Sequence, residues 1–197
     1  GNPVAAEELM VARDIRLVKL TGARLHVAHV SAAGSVELIR KAREQGLQVT
    51  AEVTPHHLTL SDEACLRFNT NTKVAPPLRS AEDVAAVRAA LVEGVIDAIA
   101  TDHAPHAEYE KDVEFTAAPP GMLGLETAFA VVCELVRAGE ITPLELMRRM
   151  STNPARILDL AWPEGAKVTV FTAGDDVPAA DLRRVLAHFE KKPAEHV

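Results

Sequence analysis

Val95-Ile-Asp-Ala-Ile-Ala-Thr-Asp-His-Ala-Pro-His106 is the stretch that decides the fold. Its opening run, Val95 to Thr101, is short and apolar and reads as a buried strand, and buried strands belong to parallel α/β sheets covered by helices. Chemistry follows at once. Asp102, His103 and His106 stand at the carboxyl end of that strand, where α/β folds collect their ligands. Asp102 can bind a metal or move a proton, and His106 can hold an anionic or carbonyl group of a substrate.

Outward from this strand, helix and strand signals alternate. Pro3 to Leu20 carries apolar residues at helical spacing and stops at Thr21-Gly22. Leu25 to Val30 reads as a strand, Ser35 opens a helix that ends at Gly46, and Leu47 to Val53 is the next strand, which makes a βαβ unit. Ser80-Ala-Glu-Asp83 has the form of a capping box before a helix to Glu93, with Gly94 as its stop. A further helix is expected from Gly124 to Ala138, and Thr142-Pro-Leu-Glu145 sets a cap, a first-turn proline and a capping acid in order.

Each predicted strand ends in groups able to do chemistry. The first ends at His29 and Ser31, the second at Thr54-Pro-His-His57, and the last at Asp102, His103 and His106. In a (β/α) barrel the active site occupies that face, with residues contributed by several strands. His29 and Asp102 are a neutral imidazole and a carboxylate, which are standard zinc ligands. Two ligands are too few, because a catalytic zinc usually takes three from the protein.

Composition narrows the class. The chain has 197 residues, 48% hydrophobic and 25% charged, which is ordinary for a globular protein with one sizeable core. A formal charge of -7, an isoelectric point near 5.6 and no basic stripe exclude a nucleic-acid groove. A small anionic substrate remains compatible, since one local cation can bind it. Cys65 and Cys133 lie far apart without a CxxC pattern and are expected to be reduced packing residues. No charged-then-apolar leader opens the sequence and no long apolar run occurs, so the expectation is a cytoplasmic protein without a membrane partner.

Seven ordered segments carry a resemblance. His26-Val-Ala-His-Val-Ser31, Ala51-Glu-Val-Thr-Pro-His-His-Leu58, Lys73-Val-Ala-Pro-Pro-Leu-Arg79, Ala100-Thr-Asp-His-Ala-Pro-His106, Ala118-Pro-Pro-Gly121, Gly124-Leu-Glu-Thr127 and Asn153-Pro-Ala-Arg156 fall in the order found in type I dihydroorotases, of the amidohydrolase superfamily. The resemblance covers roughly residues 1 to 158. It implies an α/β fold, the C-terminal part of a (β/α)8 TIM-type barrel at about strands six to eight. Residues 1–160 would be this partial amidohydrolase barrel, and 161–197 a divergent C-terminal tail. The implied activity is the zinc-dependent, reversible interconversion of dihydroorotate and N-carbamoyl-L-aspartate in pyrimidine synthesis. His29 would match the zinc ligand of the sixth strand. Asp102 would match the eighth-strand carboxylate that binds metal, takes the proton of the attacking water and returns it to the leaving nitrogen. His106, with backbone groups at Pro120 and Gly121, would hold the substrate.

The departures are as specific as the matches. Ala75 stands where the family usually has a substrate-touching Asn. The first-strand His-x-His pair, the fourth-strand bridging ligand and the fifth-strand His have no counterpart, so the chain resembles a C-terminal portion, inactive by itself. In the tail, Lys167 to Phe171 reads as a strand and about Ala179 to Glu190 as a helix. The alternatives are a hydantoinase or allantoinase, which Ala75 keeps open, and a non-catalytic structural subunit. The latter resembles the inactive dihydroorotase-like chains that scaffold aspartate transcarbamoylase. Partners are accordingly a small-molecule substrate, with self-association or aspartate transcarbamoylase as macromolecular candidates.

Other polar residues have plainer expectations. His26 reads as packing or as orienting a neighbour, and His103 as orienting Asp102. His56 and His57 read as site-facing, structural or touching substrate, but not as metal ligands. Arg79 is expected to anchor a proline-rich loop, Glu126 to favour a helix start, and His188 and His196 to be solvated.

Overall fold

The computed structural model describes residues 2–160. The described residues divide into two compact units that meet between Leu125 and Glu126 in the sequence. The expected tail strand and helix, with His188 and His196, lie outside the described residues.

The first unit begins with α1 (Val4–Thr21), β1 (Leu25–Val27), α2 (Ala33–Glu44) and β2 (Val49–Val53). It continues through α3 (Pro55–Thr59), α4 (Ala81–Glu93), β3 (Ala98–Ile99) and the short α5 (Glu108–Lys111). The strands form one parallel sheet in the order β1-β2-β3. Leu25 pairs with Val49 and Val27 with Ala51, while Glu52 pairs with Ala98 and Val53 with Ile99. Parallel strands need long crossovers, and α2 and α4 supply them. α1 packs on α2, and α2 on α4.

The core is aliphatic. Ile39, Leu58, Leu91, Ile96 and Val53 are completely buried, and each such side chain contributes about 2 kcal/mol of transfer free energy. β2 alternates, with Val49, Ala51 and Val53 buried and Thr50 and Glu52 partly exposed. Local signals agree with the sequence at α4: the Ser80 hydroxyl accepts the Asp83 N–H at 3.2 Å, and Gly94 closes the helix at φ 87°, a conformation that favours glycine.

The strands are shorter than the apolar runs predict. β1 stops at Val27 rather than Val30 because His29 takes φ 53°, which breaks the extended ladder, although Val30 N–H still reaches Glu52 O at 2.9 Å. β3 keeps Ala98–Ile99 alone, and Asp97 and Ala100 N–H bond to Ala51 O and Val53 O from either side. Asp102 then turns at φ 48°.

The second unit holds α6 (Ala128–Arg137), α7 (Pro143–Met147) and α8 (Asn153–Ile157), with a π-helical turn at Arg148–Thr152. α6 starts four residues after the expected Gly124, and it buries Ala128, Val132, Cys133 and Leu135. The predicted capping box at α7 forms: Thr142 Oγ1 accepts Glu145 N–H at 3.2 Å, and Glu145 Oε2 accepts Thr142 N–H at 2.7 Å. No described helix is long and apolar enough to cross a membrane.

Candidate active site

Two residues at the carboxyl ends of different strands meet. His29, after β1, and Asp102, after β3, bring Nε2 and Oδ1 to 3.5 Å, with side chains 26% and 28% exposed. Both adopt positive φ without being glycine. Strain of this kind costs about 1–3 kcal/mol per residue and gathers at functional sites. Here it turns both side chains out of the strand direction toward one another.

Glu52 on β2 completes the constellation. Oε2 lies 3.1 Å from His26 Nε2, and Oε1 lies 3.0 Å from His29 Nδ1. The His29 contact is short, although the geometry around Nδ1 does not make it a regular hydrogen bond. With Nε2–H donating to Glu52, His26 Nδ1 accepts from the Thr50 hydroxyl at 2.8 Å. His26 therefore orients a neighbour, and that neighbour is Glu52. Burial pushes the Glu52 carboxyl upward, but the His26 and His29 contacts outweigh it and hold its pKa at about 2. In turn the Glu52 contact raises the pKa of His29 against the opposing effect of burial, with the Asp102 charge adding to the rise. Glu52 was missed in the sequence. Its signal was a lone acid on the partly exposed face of a strand whose other positions are apolar.

The double histidine is structural on this geometry. His57 is buried, Nε2 donates to Pro76 O at 3.0 Å, and Nδ1 accepts from Thr54 Oγ1 at 2.7 Å, which ties the end of β2 to the proline-rich loop. His56 is buried, and its Nε2 finds no partner among the described residues. Burial pushes its pKa down to about 3, helped by the nearby His57 and His29, so the ring stays neutral. Arg79 is the expected anchor: its guanidinium donates to Ser31 Oγ at 3.0 Å and to Asn2 O at 2.7 Å, and contacts Glu7 at 3.5 Å.

His103 departs from expectation. Rather than orienting Asp102, its Nδ1 accepts the N–H groups of Gly124 and Leu125, each at 3.1 Å. The ring thereby pins residues 122–125 beside the strand end, where Ala104 N–H also bonds Met122 O at 3.0 Å.

His106, Pro120 and Gly121 are neighbours. His106 Nε2 donates to Pro120 O at 3.2 Å, and Glu110 lies 3.6 Å from Nδ1. A Cβ on Gly121 would stand 2.7 Å from His106 Nε2 and 2.8 Å from Ala104 O, at a φ of 153° that side chains rarely adopt. The glycine is what lets the loop close on the imidazole. Gly121 N–H donates to Lys73 O at 2.8 Å, and Ala75, two residues on, is exposed.

A metal fits the His29–Asp102 pair as two of its donors. Bonds of about 2.0–2.1 Å in a tetrahedron set donor atoms roughly 3.4 Å apart, close to the 3.5 Å observed. Glu52 lies 3.0 Å behind Nδ1, the place a carboxylate takes behind a metal-binding imidazole. Among the described residues no group of three or more metal-ligating side chains forms.

The comparisons with known proteins point the same way. A model of the amidohydrolase family matches residues 3–165. The chain belongs to the amidohydrolase family. Among curated relatives of this chain, the dihydroorotase of Pelotomaculum thermopropionicum is 62% identical over 166 residues, which cover 84% of this chain and 38% of the relative. The dihydroorotase of Syntrophus aciditrophicus is 54% identical over 181 residues, covering 88% of this chain and 42% of the relative. Among solved structures, L-hydantoinase (dihydropyrimidinase) from Arthrobacter aurescens aligns with a TM-score of 0.77 at 33% identity, over 82% of this chain and 37% of that one. The chain spans about two fifths of the length of the curated relatives it matches. His29, Glu52, Asp102, His106 and Gly121 all fall inside the matched residues.

Proposed function

We propose that this chain supplies strands six to eight of a zinc-dependent dihydroorotase barrel, which interconverts dihydroorotate and N-carbamoyl-L-aspartate in the de novo synthesis of UMP. The observation that carries the reading is the approach of His29 Nε2 to Asp102 Oδ1 at 3.5 Å from two different strand ends, in a chain 62% identical to a dihydroorotase. His29 and Asp102 would hold the metal. When bound, zinc polarises the scissile amide carbonyl and makes hydroxide available near neutral pH.

Asp102 takes a proton from the attacking water as the new C–O bond forms, and returns it to the ring nitrogen as the C–N bond breaks. Glu52 keeps the His29 ring turned so that Nε2 faces the reacting side. His106, backed by Pro120 and Gly121, binds the substrate, and the exposed Ala75 belongs to the same substrate-holding set. A hydantoinase-like reaction on another cyclic amide is the second reading, favoured by the structural likeness to L-hydantoinase and by Ala75.

The test is complementation. Residues 1–197 alone, contributing two metal donors, should show no ring opening of dihydroorotate with zinc present. Adding a separately produced segment bearing the first five strands of the barrel should restore it. Turnover by the 197-residue chain alone would refute the partial-site reading. Restored hydrolysis of hydantoin without dihydroorotate turnover would establish the second reading instead.

A further inference from the structure

Two lysines gather the loop that carries Pro120 and Gly121. Lys111, at the end of α5, donates from Nζ to three carbonyls: Thr70 O at 3.1 Å, Pro119 O at 2.8 Å and Gly121 O at 2.7 Å. An ammonium has three N–H groups, so every donor of Lys111 is used. Lys73 donates to Phe115 O at 2.8 Å and Thr116 O at 3.0 Å, lies 5.6 Å from the centre of the Phe115 ring, and accepts Gly121 N–H on its own carbonyl. Carbonyls of residues 115, 116, 119 and 121 thus turn inward on two cations. The Pro120 carbonyl between them turns the other way and meets His106 Nε2.

The arrangement costs something, because partial burial and the charge of Lys73 lower the pKa of Lys111. Neither ammonium is paired with a carboxylate in these contacts. Backbone carbonyls take that role, and a lysine spent wholly on carbonyls of one loop acts on the shape of that loop.

We propose that Lys111 and Lys73 are the positioning residues of the substrate loop, holding residues 115–121 so that Gly121 and Pro120 close on His106. This rests on the reading of His106, Pro120 and Gly121 as the substrate-holding part of the site. Neither lysine touches the reacting atoms. Their effect passes through the backbone they bind.

The experiment uses the complete enzyme and compares Lys111→Met, Lys73→Met, Lys111→Arg and His106→Ala. Ring opening of dihydroorotate gives KM and kcat, and amide hydrogen exchange over residues 115–122 reports the loop. Each Met variant should raise KM about tenfold, more than it lowers kcat, because sub-ångström misplacement of binding groups is expensive. Exchange in the loop should accelerate in both. Lys111→Arg keeps the charge but replaces three N–H groups on one nitrogen with a larger planar fork, so it should raise KM less than Lys111→Met does, and a KM equal to wild type in both would count against the proposal. Faster loop exchange with unchanged KM in both Met variants would overturn the proposal while a raised KM in His106→Ala left the substrate reading standing. An unaltered KM in His106→Ala would overturn the substrate reading and this proposal together. If Lys111→Met does not fold, Lys73→Met and Lys111→Arg decide the matter by the same criteria.

Discussion

The two ends of the same three-stranded sheet are built on opposite plans. At the amino ends Arg43 donates to Val49 O at 2.9 Å and Gly94 O at 3.0 Å and pairs with Asp97, whose carboxylate also accepts Ala51 N–H at 2.8 Å. One side chain there stitches the end of α2 to the start of β2 and the end of α4. At the carboxyl ends His29, Glu52 and Asp102 point at other side chains rather than at backbone: two of these residues sit at positive φ, and the Glu52 carboxylate is shared between two imidazoles. Saturated polar contacts stabilise, whereas strained and half-exposed ones are kept for chemistry. On the function proposed above, the sheet separates stability from chemistry along its own strands, as α/β folds generally do.

The largest effect that could break this contrast lies at Asp102. In the complete enzyme Asp102→Asn should lower turnover by about a thousandfold, because the amide keeps the volume but cannot carry the proton. Thermal unfolding should be unchanged. A lower melting temperature with activity retained would reverse the roles assigned to the two ends. Next comes Arg43→Met, which strips the donors from Val49 O and Gly94 O. Urea unfolding should show a loss of about 2 kcal/mol, and KM should stay at the wild-type value.

Gly121→Ala should act more modestly and only on substrate binding. Its Cβ would meet the Ala104 carbonyl, which cannot move cheaply, so KM for dihydroorotate should rise several-fold while stability falls by about 1 kcal/mol. The last effect is one of pH and shows only in acid. Glu52 titrates at about 2 in the folded chain against an ordinary 4.5. The stability it contributes is therefore complete above pH 4.5 and lost as pH falls toward 2. Urea unfolding of metal-free protein across that window should show a shallower acid loss in Glu52→Gln than in wild type. Equal slopes would mean that the shared carboxylate does not stabilise the carboxyl end.

Much of this was legible in the residues themselves. The capping sequence at Ser80 and the glycine at 94 bound α4, because a cap needs only neighbours within one helical turn. The apolar runs marked the strands, yet not their ends, since periodicity does not register a residue such as His29 that leaves the extended conformation at φ 53°. The anchoring of Arg79 was readable from its proline-rich setting, whereas the target of His103 was not, because Gly124 and Leu125 approach it only through the fold.

The sequence by itself determined the alternation of strands and helices, the placing of His29 near the end of one strand and of Asp102 and His106 just past another, and the family resemblance that residues 3–165 share. All of these are local in the chain. The tertiary structure alone decided that His29 Nε2 and Asp102 Oδ1 stand 3.5 Å apart across 73 residues of sequence. It also decided that Glu52 lies between His26 and His29, and that Lys111 gathers Thr70, Pro119 and Gly121. Such meetings depend on strand register and on which way each side chain leaves its strand. A shift of one residue in the pairing of β1 with β2 would turn the same residues to the other face.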